Sequence, residues 1–167
     1  DNRRRIREMS AGKDVLNLFA YTCGFSVAAA AGGAKSTVSV DLAPRPLEWG
    51  RENFALNELP VEGHEFVRAE AMDYLPRAKK HERAFDVIVI DAPTFARGRK
   101  KGTTFAIKDD LSALVAAAAD VLRSGGVMLV SSNARQMTPK MLIDRVRAGA
   151  RGRRMQVVET PALPVDF

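Results

Sequence analysis

The segment VLNLFAYTCGFSVAAAAGG, residues 15–33, decides the fold. Its first six residues are a short apolar run that predicts a strand, and Tyr21 to Gly24 predict a tight turn. The alanine-rich residues 25–31 predict a helix, which the two following glycines end. A buried strand that passes through one tight turn into a helix is the first unit of an α/β fold.

The same alternation of strand and helix continues along the rest of the chain. Further strands are predicted over residues 37–40, 65–69, 86–90, 127–131 and 155–159. Helices are predicted over residues 44–57, 71–80, 108–123 and 138–148. The strands are apolar throughout instead of alternating, which favours a parallel sheet covered by helices on both faces. We therefore predict a doubly wound, mostly parallel α/β fold.

Length and composition bound the organisation of the chain. With 167 residues, 46% of them hydrophobic, it is expected to form one domain over residues 1–167. It has no run of about 18 apolar residues and no charged-then-apolar leader, so neither a membrane span nor a signal peptide is expected. A single cysteine, Cys23, fits a reducing cytoplasm. The chain begins at Asp1 instead of a methionine, which is the start expected of a fragment.

The formal net charge of +6 is concentrated in three basic clusters. They comprise Arg3, Arg4, Arg5 and Arg7; Arg97, Arg99, Lys100 and Lys101; and Arg145, Arg147, Arg151, Arg153 and Arg154. Such clusters favour a polyanion such as RNA, although solvated helix faces have the same composition. The sequence leaves open whether the first cluster forms a helix against the core or an arm on RNA.

Candidate ligand-binding residues follow the first three predicted strands. In an open parallel sheet, ligands bind outside the carboxyl ends of the strands. Gly24 permits close approach of a ligand, and Asp41, about 17 residues later, is suited to accept hydrogen bonds from ribose hydroxyls. Glu70 is suited to an adenine amino group, with Asp73 as a competing candidate. The absence of a G-x-G-x-x-G pattern argues against a nicotinamide or flavin dinucleotide.

The segment DAPTF, residues 91–95, directly follows the fourth predicted strand. It brings a carboxylate, backbone carbonyls and an aromatic ring to the same sheet edge. A planar base is a suitable ligand, because Phe95 offers a stacking face while Asp91 accepts hydrogen bonds. The alternative is a turn with Phe95 packed in the core.

Four segments together resemble the bacterial 23S ribosomal RNA large-subunit methyltransferases. They are VLNLFAYTCGFSV (15–27), STVSVDLAPRPLEWGRENFALN (36–57), FDVIVIDAPTFA (85–96) and LRSGGVMLVSSNAR (122–135). The similarity runs from about Ile6 to Asn133 and is nearest to the guanine-N7 methyltransferase module of a bifunctional enzyme. In that family the fourth-strand motif is usually Asp-Pro-Pro-Thr-Phe, and Ala92 replaces its first proline here.

The resemblance implies a Rossmann-like class I methyltransferase fold with S-adenosylmethionine as methyl donor and 23S rRNA as substrate. The implied cofactor-binding residues are Phe19, Tyr21, Thr22, Gly24, Phe25, Asp41, Leu42, Glu70, Ala71 and Asp91. The expected catalytic residues are Asp91, Pro93, Phe95 and Asn133, which orient the base. The basic residues Arg97, Arg99, Lys100 and Lys101 are expected to hold RNA phosphates.

The position of the only cysteine bears on the reaction. Methylation of cytosine C5 needs a cysteine that attacks C6, and Cys23 lies in the cofactor turn. Guanine N7 carries an exposed lone pair and requires only alignment. Guanine N7 is therefore the expected target, with cytosine C5 or guanine N2 as alternatives.

Two further function classes remain as alternatives. The first is a cofactor-binding module that is inactive on its own. The second is a small-molecule methyltransferase or a nicotinamide enzyme on a similar sheet. His64 and His81 are isolated from each other and from other ligand residues, so no metal site is expected.

Overall fold

The computed structural model describes residues 2–97, 104–134 and 136–160. The helices in these ranges are α1 (Asn2–Met9), α2 (Gly24–Ala31), α3 (Pro44–Leu56), α4 (Ala71–Lys80), α5 (Ile107–Ala119) and α6 (Pro139–Gly149). The strands are β1 (Asp14–Leu18), β2 (Ser36–Asp41), β3 (His64–Arg68), β4 (Phe85–Ala92), β5 (Phe95–Arg97), β6 (Thr104–Ala106) and β7 (Leu122–Ser132).

Five strands form one sheet in the order β3-β2-β1-β4-β7, and every neighbouring pair is parallel. Leu18, at the end of β1, pairs with Val40 of β2 on one side and Ile90 of β4 on the other. The chain runs outward from β1 to β3 and then returns to β4 on the opposite side of β1. This reversal of strand order creates a crevice at the carboxyl ends of β1 and β4, where ligands bind in such sheets.

Both faces of the sheet are covered by helices. On one face, buried side chains of β1 and β4 pack against those of α4 and α5: Leu16, Leu18, Ile88, Ile90, Leu75, Leu111 and Leu114. On the other face, they pack against α1 and α2: Val15, Val87, Val89, Ile6 and Ala29. Full burial of each large aliphatic side chain contributes about 1.5–3 kcal/mol. The predicted doubly wound α/β fold is confirmed.

The first basic cluster lies on a helix against the core. Ile6 of α1 is completely buried, while Arg3, Arg4 and Arg7 are exposed on the same helix. Helix α1 is therefore anchored by the apolar side chains of Ile6 and Met9, and its arginine side chains lie toward solvent. Among the described residues, no helix is both long enough and apolar enough to cross a membrane.

The prediction of a strand over residues 155–159 is wrong. This segment forms no strand, and the side chain of Val158 is 85% exposed. Glu159 instead forms an ion pair with Arg5 of α1. Strand formation depends on packing against a neighbouring strand, and the segment has the composition of a strand without that packing. The helix predicted over residues 108–123 also ends earlier than expected, at Ala119, because β7 already begins at Leu122.

A small antiparallel hairpin follows β4 and was not predicted. Its strands β5 and β6 pair Phe95 with Ala106 and form a sheet separate from the main one. The N–H of Ile107, at the start of α5, donates to the carbonyl oxygen of Thr94 at 3.3 Å. These contacts place the hairpin beside the carboxyl end of β4.

Candidate active site

A pocket of about 430 Å³ opens at the carboxyl edge of the sheet, at the reversal of strand order. Small-molecule sites commonly have volumes of about 300–1,000 Å³. Its lining residues come from the ends of β1, β2, β3 and β4, from the segments that follow these strands, from β6 and from the residue after β7: Phe19, Tyr21, Val40, Asp41, Leu42, Ala69, Glu70, Ala71, Met72, Asp91, Ala92, Pro93, Phe105 and Asn133. The lining is apolar except for carboxylates, a phenol and one amide.

The loop between β1 and α2 has an unusual backbone. Phe19, Tyr21 and Cys23 all adopt left-handed conformations, with φ of 57°, 47° and 62°. Residues other than glycine rarely adopt this backbone conformation, because it is strained for them. Strained backbone conformations of this kind cluster at ligand sites. The alternating left-handed residues wind the loop tightly, so that Phe19 and Tyr21 line the pocket while Cys23 points into the protein.

Asp41 at the end of β2 holds this loop in place. Its Oδ2 accepts a hydrogen bond from the N–H of Tyr21 at 2.8 Å, and its Oδ1 accepts one from the N–H of Ala43 at 2.9 Å. An ionised carboxylate has about four acceptor positions, so each oxygen retains one for a ligand hydroxyl. Asp41 is therefore suited both to fix the loop and to bind a diol.

Helix α3 supports the loop from behind through a contact that requires glycine. A Cβ at Gly50 would collide with the Sγ of Cys23 and lie 3.0 Å from its Cβ. Cys23 is completely buried and packs with Ala20 and Leu47. The Gly50–Cys23 contact thus sets how closely α3 approaches the loop.

We expect Gly50→Ala to lower the free energy of unfolding by about 1–3 kcal/mol, because the new methyl group overfills this contact. The added substitution Cys23→Gly is expected to restore much of the loss, since it removes the colliding sulfur and suits the positive φ. Urea unfolding of both variants checks this. Stabilisation by Gly50→Ala alone, as at an unhindered helix position, would contradict it.

Both polar and apolar groups line the pocket. Glu70 lies between β3 and α4 at the pocket wall, and Leu42, Ala71 and Met72 supply apolar surface beside it. Phe19 contacts Phe105, with ring centroids 5.1 Å apart. A flat ring with polar edges fits between such walls, because the apolar groups cover its faces while carboxylates accept its hydrogen bonds.

The end of β4 forms the outer part of the pocket. Asp91 is exposed, and its Oδ1 accepts a hydrogen bond from the hydroxyl of Ser131 on β7 at 2.6 Å. Asn133 follows β7 and lines the same pocket. The ring of Phe95, at the start of the hairpin, is 67% exposed. The interpretation of Phe95 as a core residue is therefore wrong, and its face is available to a ligand.

The structure brings most of the sequence-predicted site residues to one pocket. Phe19, Tyr21, Asp41, Leu42, Glu70, Ala71, Asp91, Pro93 and Asn133 all line it. Thr22, Gly24, Phe25 and Phe95 do not. Phe25 packs instead against the core between the sheet and α2, and the carbonyl oxygen of Thr22 accepts a hydrogen bond from Nδ2 of Asn53 at 2.9 Å. The binding roles of all these residues stay predictions.

Met72 and Phe105 also line the pocket and were not predicted. Met72 directly follows the predicted residues Glu70 and Ala71, so its position in the sequence could have indicated it. Phe105 had no such signal, because only the hairpin brings it next to Phe19.

The predicted phosphate-binding segment is described only in part. Arg97 belongs to β5, so its backbone lies in the hairpin beside the pocket. Arg99, Lys100 and Lys101 lie outside the described residues. Among the residues that the structure does describe, no group of histidine, cysteine and acidic side chains has the arrangement of a metal site.

The residues of the pocket fit an adenosine. Asp41 and Glu70 bring carboxylate oxygens suited to ribose and adenine groups to the lining, and the apolar lining side chains offer surface suited to a ring. The left-handed residues Phe19 and Tyr21 line the same pocket. The sequence expectation of S-adenosylmethionine agrees with this donor set.

Sequence relatives support the same assignment. A family model described as S-adenosylmethionine-dependent methyltransferase matches residues 1–167. Ribosomal RNA large subunit methyltransferase K of Neisseria meningitidis serogroup B is 36% identical over 167 residues, which are 100% of this chain and 46% of that protein. Methyltransferase K/L of Psychrobacter sp. strain PRwf-1 is 47% identical over 133 residues, 78% of this chain and 16% of that protein. The chain thus spans less than half the length of these relatives.

Solved structures share the architecture. A crystal structure of a protein assigned as a methyltransferase, complexed with S-adenosylhomocysteine, superimposes with a TM-score of 0.92 at 35% identity, over 99% of this chain and 43% of that one. A protein from Streptococcus mutans assigned as S-adenosylmethionine-dependent gives 0.90 at 34% identity, with the same coverage. The family match over the whole chain, the fold and the pocket agree: this chain belongs to the S-adenosylmethionine-dependent methyltransferase family.

Proposed function

We propose that this chain is the catalytic core of an enzyme that methylates N7 of a guanine in 23S ribosomal RNA. The observation that carries the proposal is the outer end of the pocket. There Asp91 and Asn133 line the pocket, and the exposed ring of Phe95 begins the hairpin that follows β4, while no thiol is available as a nucleophile. The ribosomal RNA methyltransferases among the relatives support RNA as the substrate class.

Phe95 supports a base as the methyl acceptor. Its ring is 67% exposed directly after β4, where burial would otherwise be favourable for a phenylalanine. Stacking of a base on an aromatic side chain contributes about 1–3 kcal/mol. A guanine on this face would lie beside the pocket that we assign to the cofactor.

Cys23 argues against a covalent mechanism. It is the only cysteine of the chain and is completely buried at the end of the loop between β1 and α2. Burial raises the pKa of its thiol to about 11. Attack on cytosine C6 requires a thiolate in contact with the base, and Cys23 offers neither. Within this chain the residues therefore favour transfer to a lone pair that is already nucleophilic.

The buried thiol gives a direct chemical prediction. At pH 8 a thiol with a pKa of about 11 is ionised in roughly one molecule per thousand. We expect Cys23 of the folded protein to resist a thiol-reactive dye at pH 8 and to react quickly after unfolding in urea. Rapid labelling of the folded protein would contradict its burial.

Positioning is the chemistry that these residues can supply. Bound S-adenosylmethionine supplies an electrophilic methyl group, and guanine N7 needs only alignment with it and removal of water. To Asp91, whose Oδ1 accepts a hydrogen bond from the hydroxyl of Ser131, we assign the role of accepting hydrogen bonds from guanine N–H groups. Phe95 covers one face of the base, and the amide of Asn133 assists from the end of β7.

The charge of the chain supports RNA binding. With 26 Lys and Arg against 20 Asp and Glu, a polyanion is attracted to it. We assign phosphate binding to Arg97, Arg99, Lys100 and Lys101, whose segment begins in the hairpin beside the pocket. We further propose that residues 1–167 form one cofactor-binding domain and that RNA recognition is shared with further parts of a longer protein, as the length of the relatives suggests.

The decisive experiment identifies the methylated nucleoside. The chain is incubated with methyl-labelled S-adenosylmethionine and protein-free 23S rRNA that lacks the modification, and the RNA is digested to nucleosides for mass spectrometry. Labelled 7-methylguanosine is expected. Labelled 5-methylcytidine or N2-methylguanosine would retain the enzyme class and overturn the target. Binding of S-adenosylhomocysteine without any transfer would favour a cofactor-binding module that is inactive on its own.

A further inference from the structure

Helix α6 and the turn after it carry the third basic cluster, to which the proposed function gives no role. The structure separates the members of this cluster. Arg153 has a partner within the protein, because its guanidinium forms an ion pair with Asp120. Arg147, Arg151 and Arg154 are exposed, and none of them forms an ion pair with an acid among the described residues. These three arginines are therefore available to an anion from outside.

The exposed face of α6 adds a lysine to these arginines. Lys140, Asp144 and Arg147 follow each other at spacings of four and three residues, so they share one face of the helix, and all three are exposed. Asp144 is the only acid of α6, and within the described part of the chain it forms no ion pair with either cation. The opposite face is apolar, since Leu142 and Val146 pack against the core. The outer face of α6 thus carries a net positive charge.

Helix α6 is held closely against α5, which fixes the spacing of these cations. A Cβ at Gly149 would collide with the carbonyl oxygen of Ser112 and lie 2.8 Å from the Cβ of Val115. The hydroxyl of Ser112 donates a hydrogen bond to the carbonyl oxygen of Arg145 at 3.1 Å. Cations on a rigid element bind a polyanion at a lower entropic cost than cations on a segment that must first be ordered. The surface therefore suits a ligand with charges at regular intervals.

This basic surface begins beside the proposed active site and leads away from it. Asn133 lines the pocket, and α6 begins six residues later at Pro139. After α6, Arg153 pairs with Asp120, which lies just before β7 at the opposite edge of the sheet. With a rise of about 1.5 Å per residue, the 11-residue helix alone covers about 16 Å of this path. An RNA strand with one base at the pocket has room to follow the same path.

We infer that the outer face of α6 and the turn after it bind the phosphate backbone of the RNA substrate. The residues that carry this role are Lys140, Arg147, Arg151 and Arg154. The inference rests on the RNA substrate of the proposed function and not on guanine N7 as the target. RNA fits this surface better than a membrane does. A helix at a membrane surface buries large apolar side chains, and none of the exposed large apolar side chains of the described residues lies on α6.

Two double variants that remove the same charge test this assignment. Arg147→Gln with Arg151→Gln, the α6 variant, removes two cations of the proposed surface. Arg77→Gln with Lys80→Gln, the α4 variant, removes two exposed cations of α4, which contacts α5 as α6 does. Glutamine has a helix propensity close to those of arginine and lysine, so both variants are expected to fold. Binding of each variant to protein-free 23S rRNA is measured by filter binding over a range of salt concentrations.

The α6 variant is expected to bind this RNA about tenfold more weakly at a salt concentration of about 0.1 M. The slope of log affinity against log salt concentration is expected to be shallower by about 1–2, because two phosphate contacts are lost. The α4 variant should keep the affinity and the slope of the unsubstituted chain. Arg147→Lys with Arg151→Lys retains both charges and should recover most of the affinity. Binding of S-adenosylhomocysteine should be unchanged in all variants, because none of these residues lines the pocket.

The outcomes separate this inference from the proposed function. Equal weakening in the α6 and α4 variants would overturn the inference, because it would show a general effect of net charge. Unchanged RNA binding by the α6 variant would overturn it too, while the proposed function would stand if methyl transfer continued. The expected pattern would support the surface even if the methylated base were not guanine. If the unsubstituted chain bound S-adenosylhomocysteine but no RNA, the inference and RNA as the substrate would both be overturned, and the cofactor site would remain.

Discussion

Replacement of Asp41 by alanine is expected to weaken binding of S-adenosylhomocysteine by about 100-fold or more. The carboxylate accepts hydrogen bonds from the backbone N–H groups of Tyr21 and Ala43, at 2.8 and 2.9 Å. Its loss would release the β1–α2 loop and also remove the acceptor that we assign to the ribose. Hydrogen bonds to charged groups contribute about 1.5–3 kcal/mol each, and about 1.4 kcal/mol corresponds to tenfold in affinity.

Two control variants make this measurement specific. Asp41→Asn keeps one acceptor oxygen and is expected to lose less affinity than Asp41→Ala. Asp73→Ala removes an exposed acid in the first turn of α4 that does not line the pocket. The affinity of this variant for S-adenosylhomocysteine should therefore match that of the unsubstituted chain. Calorimetry on all variants checks this. Unimpaired binding by Asp41→Ala would remove Asp41 from the cofactor site.

Replacement of Phe95 by alanine is expected to lower kcat/KM for RNA about 10- to 100-fold while the affinity for S-adenosylhomocysteine stays the same. The ring is 67% exposed and does not line the cofactor pocket, so its removal costs the stacked base and little stability. The range corresponds to about 1–3 kcal/mol for one base–aromatic contact. Methyl transfer to 23S rRNA, measured beside calorimetry, checks both halves of the prediction.

Other aromatic substitutions distinguish a specific contact from a general effect. Phe95→Trp keeps a stacking face and is expected to retain most of the activity. Trp49→Ala removes a ring that is 52% exposed on α3 and does not line the pocket, so transfer should be unaffected. A loss of S-adenosylhomocysteine binding in Phe95→Ala would show that the ring supports the cofactor instead of the base.

The sequence predicted the strands of the main sheet well, for a local reason. Each is a short apolar run between turn residues, and a parallel sheet buries both faces of its strands. Asp41 and Asp91 were likewise found as acids at strand ends, and the sheet brings both to the same pocket. Their position relative to the strands is a local property, whereas their proximity follows from the parallel topology.

The failures share a different cause. Residues 155–159 have the composition of a strand but lack a neighbouring strand, and β5 and β6 become strands only by pairing with each other. Phe105 enters the pocket through that pairing. Contacts between residues distant in sequence decide these cases, and local patterns do not contain them.

By itself, then, the sequence determined the order of the five main-sheet strands and of the helices α2 to α6, the sheet edge that carries the site and the acids at the strand ends, because hydrophobic period and turn residues are local. Only the tertiary structure decided that Cys23 is buried against Gly50, that Phe95 is exposed and that Arg3 lies over Gly24. Each of these depends on how closely two elements pack, and that distance is set by the side chains of both elements together.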